Sequence, residues 1–207
     1  MCMIFNKLTV MKEFEIRADY KNDTLVVYQA YNKTIAKAAI ENQKFMAPFS
    51  LNRMTWIKPS FLWMMERSNY GQKSNQECTL AIHIKREAWE KALSKAILTS
   101  PEKRVYPDPR NWEKDFENAE IYVQWDPERN IKGTKLNYRS IQVGISRSLI
   151  EEFNEEWIVK IEDYSPLVKK IFTLTKSGEF DKAKKLLPVE KNYPLSDELA
   201  HKIGATA

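Results

Sequence analysis

The chain has 207 residues, 33 of them basic and 28 acidic, giving a net charge of +5, with 43% hydrophobic and 12% aromatic residues. This balance excludes an intrinsically disordered chain, which is poor in aromatics, and suffices for one domain of ordinary size with a substantial core. Only five glycines are present, with neither a G-x-G-x-x-G nor a G-x-x-x-x-G-K-[ST] loop, and no apolar run approaches the length of a membrane span.

The mild positive excess favours a phosphorylated ligand or a polyanion such as RNA. Cys2 and Cys78 make no disulfide framework, so a reducing cytoplasm and no membrane association are expected. Met11, followed by Lys12-Glu13-Phe14, is as good a start as Met1, and residues 1–10 are then expected to be a disordered extension. With only His83 and His201 available and no C-x-x-C or H-x-x-x-H spacing, no metal is expected. Asp126 and Glu128 are carboxylates that a divalent cation can use, but Asp126-Pro127 followed by a charged pair reads as a turn.

In chain order, residues 24–31 are rich in β-branched and aromatic types after the turn-forming Asn22-Asp23, and predict a strand. Asn32 or Thr34 then caps a helix over 35–41, and Pro48 and Asn52 mark 45–52 as a loop. The run 53–68 stands out, for it packs Trp56 and Trp63, three methionines, Pro59 and the cations Arg53, Lys58 and Arg67 into sixteen residues. Proline suits the first turn of a helix, so Lys58-Pro59-Ser60 opens one running through Phe61 to Arg67. Residues 77–85 predict a strand with Cys78, Leu80, Ile82 and Ile84 on one face and Thr79, Ala81 and His83 on the other. That alternation argues against a Cys78–His83 catalytic pair.

A helix over 86–98 is expected next, then a proline-rich loop over 100–110, a strand over 121–125, a turn over 126–133 and a strand over 140–145. Ser148 is the expected cap of a helix over 149–153, whose following acidic pairs form a solvated face. From Tyr164 onward only helices are predicted: 166–176 ending at Gly178, 179–187 ending at Pro188, and a last one capped by Ser196. The expected architecture is an α+β core over 11–163 with a helical extension over 164–207 packed on it.

Within the run 53–68, Phe61, Leu62 and Met65 follow the spacing of a buried stripe. The cations do not. Lys58 precedes a helix N-terminus, where exposed amides favour an anion, and Trp56 is available to stack on a ring. Gln29 faces opposite Tyr28 in its strand and offers both donors and an acceptor to a ribose or base. Gln142 is a lone polar side chain in an apolar strand, two residues before Gly144 and beside Arg139.

The segments 27–32, 53–64, 75–77 and 139–144 together resemble the domain-of-unknown-function family 4291, over nearly the whole chain from about Met11. A more remote resemblance is to the ADP-ribosyltransferase-like fold. In that order of elements Gln29 stands at the first-strand polar position, Trp56 to Trp63 at the aromatic segment, and Gln142 where a glutamate is usual. The resemblance implies a small mixed or antiparallel sheet core and NAD as cofactor. Tyr28, Gln29, Arg53, Trp56, Lys58, Arg67 and Arg139 would bind it, and Gln142, Gln29 and Lys58 would serve catalysis. A glutamine in place of glutamate keeps a hydrogen bond but supplies no negative charge to an oxocarbenium. RNA 2'-phosphotransferases, which rely on basic residues, are the relatives most tolerant of that change. The competing expectation is a non-catalytic module that holds RNA or a nucleotide in the same basic-aromatic cleft.

Overall fold

The computed structural model describes residues 12–206, so the expectations for residues 1–10, Cys2 and a start at Met11 fall outside the described residues. β1 (Arg17–Ala18) precedes β2 (Thr24–Tyr31), which covers the expected residues. Asn32 accepts from the Ile35 N–H at 2.9 Å and starts α1 (Lys33–Asn42). β3 (Thr55–Ile57) is a short strand in residues that the sequence reading left unassigned. Ser60 then accepts from the Trp63 N–H at 3.2 Å and caps α2 (Phe61–Ser68), where proline and serine placed it.

β4 (Cys78–Lys85) is followed by α3 (Arg86–Ser94). The expected helix over 86–98 stops there, because β5 (Ala96–Leu98) pairs in parallel with Ile121, Tyr122 and Val123. A short apolar run carries no periodicity that separates strand from helix, and the parallel partner decided it. α4 (Pro109–Glu117) lies at the end of the expected loop, with Asp108 accepting from the Arg110 N–H at 3.0 Å and Pro109 in its first turn. β6 (Ile121–Arg129) and β7 (Lys135–Ile145) form a long antiparallel hairpin, so Asp126, Pro127 and Glu128 belong to a strand rather than a turn. The turn begins only at Asn130, whose Oδ1 accepts from the N–H groups of Lys132 and Thr134.

A 3₁₀ turn (Arg147–Leu149), α5 (Ile150–Glu152) and a π-helical turn (Phe153–Trp157) lead to β8 (Ile158–Asp163), an element the sequence reading left unassigned. Then come α6 (Ser165–Lys176), α7 (Phe180–Lys184), β9 (Lys191–Asn192) and α8 (Asp197–Lys202). The end of the chain is therefore not helix only, because β9 pairs with β1.

The fold is α+β. One sheet has the order β2-β4-β8, all antiparallel, and a second has the order β3-β7-β6-β5, with only β5 parallel to its neighbour. Alternation along β2 sends Leu25 and Val27 into a core shared with Leu80, Ile82 and Ile84 of β4 and with Ile57, Val123, Val143 and Ile145 of the second sheet. Val26, Tyr28 and Ala81 face the other way, into a second core under α2, α6 and α7. The two sheets also meet edge to edge, where the Tyr28 N–H donates to the Lys58 carbonyl at 2.7 Å. Among the described residues no helix is long and apolar enough to cross a membrane.

Gly144 has a packing reason to be glycine. It lies opposite Trp56 across the β3–β7 pair, and a Cβ there would stand 3.0 Å from Cη2 and Cζ2 of the indole. Gly144→Ala should therefore lower unfolding free energy by about 1–3 kcal/mol, the usual cost of overpacking. Introducing Trp56→Ala in the same chain should remove most of that penalty, as read by urea melts of the double-mutant cycle. Additive losses would break the assigned contact.

Candidate functional site

A cavity of about 540 Å³ opens at the C-terminal end of β2. Gln29, Tyr31 and Asn32 form one wall, and Thr55, Trp56 and Lys58 form a second. Met64 and Arg67 of α2, the loop bearing Phe49 and Arg53, and the turn at Asn75 and Gln76 complete it. β3 is an edge strand, and its Thr55 and Trp56 both line the opening. Thr55 turns toward the core side, whereas Trp56 and Lys58 alternate away from it.

Gln29 continues the row of Leu25 and Val27, at the end of the strand where that row leaves the apolar core. Its Nε2 donates to Thr55 Oγ1 at 2.6 Å and to the Trp56 carbonyl at 3.1 Å. Its Oε1 is buried and has no partner among the described residues. A buried acceptor without a partner costs about 1–3 kcal/mol, which a ligand hydroxyl or N–H recovers. Tyr31 adds a hydroxyl 3.2 Å from the same Thr55 oxygen. Burial pushes that phenol up to about 12, against the opposing pulls of the Thr55 hydrogen bond and the Arg53 charge.

Lys58 is only 7% exposed, and its Nζ donates to the Trp56 carbonyl at 3.2 Å and sits 5.4 Å from the centre of the Trp63 ring. Burial lowers its pKa to about 7, the Arg67 charge acts in the same direction, and Asp126 opposes both. Arg53, Lys58 and Arg67 line the cavity and no carboxylate does among the described residues. The lining is therefore cationic, with the Trp56 indole beside the two arginines and the lysine.

Five of the residues expected from the sequence meet here: Gln29, Arg53, Trp56, Lys58 and Arg67. Three do not. Tyr28 is fully buried in the second core against Phe61, with its hydroxyl lacking a partner among the described residues, because strand alternation points it away from Gln29. Arg139 lies on the face opposite Gln142, where it pairs with Glu13 at 3.2 Å, donates to the Trp125 carbonyl and covers the Phe14 ring. Gln142 shares a sheet face with Trp56 and Gly144, but its Nε2 donates to Asp126 Oδ2 at 2.7 Å instead of lining the cavity. Gln124, opposite it across the hairpin, donates to the other oxygen of Asp126 at 2.9 Å.

The helix N-terminus expected to attract a ligand anion is taken. Glu190 Oε1 accepts from the Phe61 N–H at 2.7 Å, with its carboxyl pushed up to about 8 by burial against the pull of that same amide. Of the other candidates, Cys78 is a half-buried free thiol on a face opposite His83, and His83 contacts Glu162 at 2.6 Å. No group of three or more His, Cys, Asp or Glu side chains able to hold a metal occurs among the described residues. The sequence reading missed Tyr31, Thr55 and Asn32 as wall residues. The first shares the parity of Gln29 in β2 and was findable by alternation, whereas Asn75 and Gln76 reach the cavity through a polar turn that belongs to the segments carrying the family resemblance but was not assigned to the site.

An α+β protein with a basic-aromatic cavity at the meeting of two sheet edges is what the geometry defines. Residues 15–193 match the domain of unknown function DUF4291, and the chain belongs to that family. No curated protein matches the chain at a significant level.

Lys58 also sets a pH dependence. Its pKa is depressed on folding, so between about 7 and the ordinary lysine range the unfolded chain holds a proton that the folded chain releases. This contribution makes stability rise with pH across that window, and the burden is complete below about pH 7. Lys58→Met should stabilise the fold by roughly 2–4 kcal/mol at about pH 6, with the advantage shrinking toward about pH 10. Urea melts at both ends check it, and a difference independent of pH would contradict the buried-amine assignment.

Proposed function

We propose that the cavity binds an NAD-like nucleotide, and that the protein is a transferase resembling ADP-ribosyltransferases or RNA 2'-phosphotransferases. The observation that carries this reading is the gathering of Gln29, Trp56 and Lys58 in one cavity with Arg53 and Arg67, without a lining carboxylate. The donor set fits such a ligand. The unpartnered Oε1 of Gln29 accepts from a ribose hydroxyl or base amide, the two arginines meet a pyrophosphate, and the indole of Trp56 offers a stacking face. NAD would supply the activated glycosidic carbon. The chain would supply its orientation and the surrounding charge.

Gln142 lacks the charge of the glutamate usual at its place, but the Asp126 carboxylate accepts from its amide on the neighbouring strand. Negative charge thus stands next to the expected position, and its influence reaches the Lys58 ammonium. In this reading Gln142 is a positioning residue for Asp126, whose carboxylate stands outside the cavity lining and acts on the positive charge that develops as nicotinamide leaves only through the field that also reaches Lys58.

Millimolar NAD should raise the melting temperature, because a ligand that binds only the folded state stabilises it by mass action. Arg53→Ala and Lys58→Ala should each weaken binding by about tenfold to a hundredfold, the usual value of a charge-assisted hydrogen bond. No stabilisation at millimolar NAD would remove the nucleotide reading. Stabilisation without NAD consumption, in the presence of RNA, would leave a binding module that holds nucleotide or RNA without turnover.

A further inference from the structure

The cavity continues into a surface that its own chemistry does not require. Arg67 is shared between the two, since it lines the cavity and is exposed at the C-terminal end of α2. Lys73 Nζ donates to the Arg67 carbonyl, which holds a second ammonium beside that rim. Tyr70, three residues beyond Arg67, packs its ring 5.5 Å from Phe172 of α6, and its hydroxyl donates to the Ile131 carbonyl at 3.3 Å. Next in the chain, Lys132 sits 4.8 Å over the Phe180 ring, and Lys176 sits 5.3 Å over Phe172. Lys169, exposed and seven residues before Lys176, falls on the same face of α6.

Cations and rings therefore follow one another from Arg67 at the cavity mouth, through Lys73 and Tyr70 at the end of α2, to Phe172 and Lys176 of α6 and to Lys132 and Phe180 beside the β6–β7 turn. The acidic residues nearby are engaged. Glu66 pairs with Arg129, Glu179 with Lys182, and Asp181 with Lys184, while Glu77 accepts from the Asn75 N–H at 2.8 Å. Lys73, Lys132, Lys169 and Lys176 make no ion pair among the described residues. Ammonium groups resting on rings keep their charge close to the surface, spaced by aromatic faces. That is the combination that holds a single-stranded nucleic acid: cations for the backbone, rings for bases that a duplex would hide.

We propose that the surface formed by Arg67, Tyr70, Lys73, Lys132, Phe172 and Lys176 binds a single-stranded nucleic acid and leads its end into the cavity. It rests on the nucleotide reading above for what happens at that end, but binding along the surface is separable from it. The polymer would be the acceptor that the nucleotide in the cavity serves. An acidic protein segment fits less well, because carboxylates gain from the cations but have no use for the interleaved rings.

The test measures anisotropy of a short labelled oligonucleotide on the full chain across a salt series, using single-stranded RNA, single-stranded DNA and duplex RNA in parallel. The variant Lys73→Glu/Lys132→Glu/Lys176→Glu alters exposed side chains only, and its melting curve serves as a folding control. The expected result is tight single-strand binding by the unaltered chain, with duplex bound at least tenfold more weakly. In the milder variant with the same three lysines changed to alanine, the slope of log K against log salt should fall by about 2, at about 0.7 per phosphate contact. Tyr70→Ala/Phe172→Leu should weaken single-strand binding without changing that slope.

The thermal shift with NAD should be unchanged in the lysine variants. Loss of that shift together with RNA binding would place both ligands in the cavity and overturn the surface. Equal binding of duplex and single strand, equal competition by polyglutamate, or unaltered affinity in the Glu variant would each overturn it too. If NAD fails to stabilise the chain while the lysine-dependent single-strand binding persists, the surface stands and the nucleotide reading falls. The RNA and DNA arms decide which polymer is preferred.

Discussion

One backbone hydrogen bond, from the Tyr28 N–H to the Lys58 carbonyl, ties the edge strand of the β2-β4-β8 sheet to the edge strand of the second sheet. Everything at the cavity depends on it. It brings β3 alongside the end of β2, so that Gln29 reaches Thr55 and the Trp56 carbonyl. Beyond this point the strands no longer pair, and a residue with the parity of the core meets polar atoms rather than apolar ones. The same contact sends Tyr28 into the second core, where it helps seat α2 through Phe61.

Lys58 carries the electrostatic consequence. An amine this buried loses hydration, and the Arg67 charge adds to the cost of its own protonation. The distant Asp126, the nearby Trp56 carbonyl and the Trp63 ring offset part of the loss. An anion entering beside Lys58 would supply what the protein withholds, and its binding would be coupled to proton uptake at this position. The helix N-terminus next to it cannot play that part, because Glu190 already occupies the Phe61 amide. The amide at the start of α2 is thus met by the protein's own carboxyl, while Lys58, three residues earlier, lines the cavity.

Much of this was legible in local chemistry. Alternation gave β2 and β4 and the opposed faces of Tyr28 and Gln29, and the proline and serine before Phe61 marked the start of α2. Of the side chains singled out from the sequence, Arg53, Trp56, Lys58 and Arg67 of the run 53–68 line one cavity together with Gln29. The misses have a common cause. β5 was read as the end of a helix and Asp126 as part of a turn, because each owes its conformation to a strand distant in sequence. Arg139 and Gln142 were grouped by adjacency, yet the pleat places them on opposite faces, and only one of them reaches Asp126.

The amino-acid sequence alone determined the α+β class, the main strands and helix caps, and the segment dense in cations and tryptophans, since each follows from periodicity, capping and composition within a few residues, while the family is carried by motifs spread along the chain. Tertiary structure alone decided that two sheet edges meet at Tyr28 and Lys58, that Asp126 accepts from Gln124 and Gln142, and that Glu190 closes the helix N-terminus. Those facts concern residues up to about a hundred and thirty positions apart, joined by register and burial, and no local pattern encodes which distant partner a strand edge or a buried charge will find.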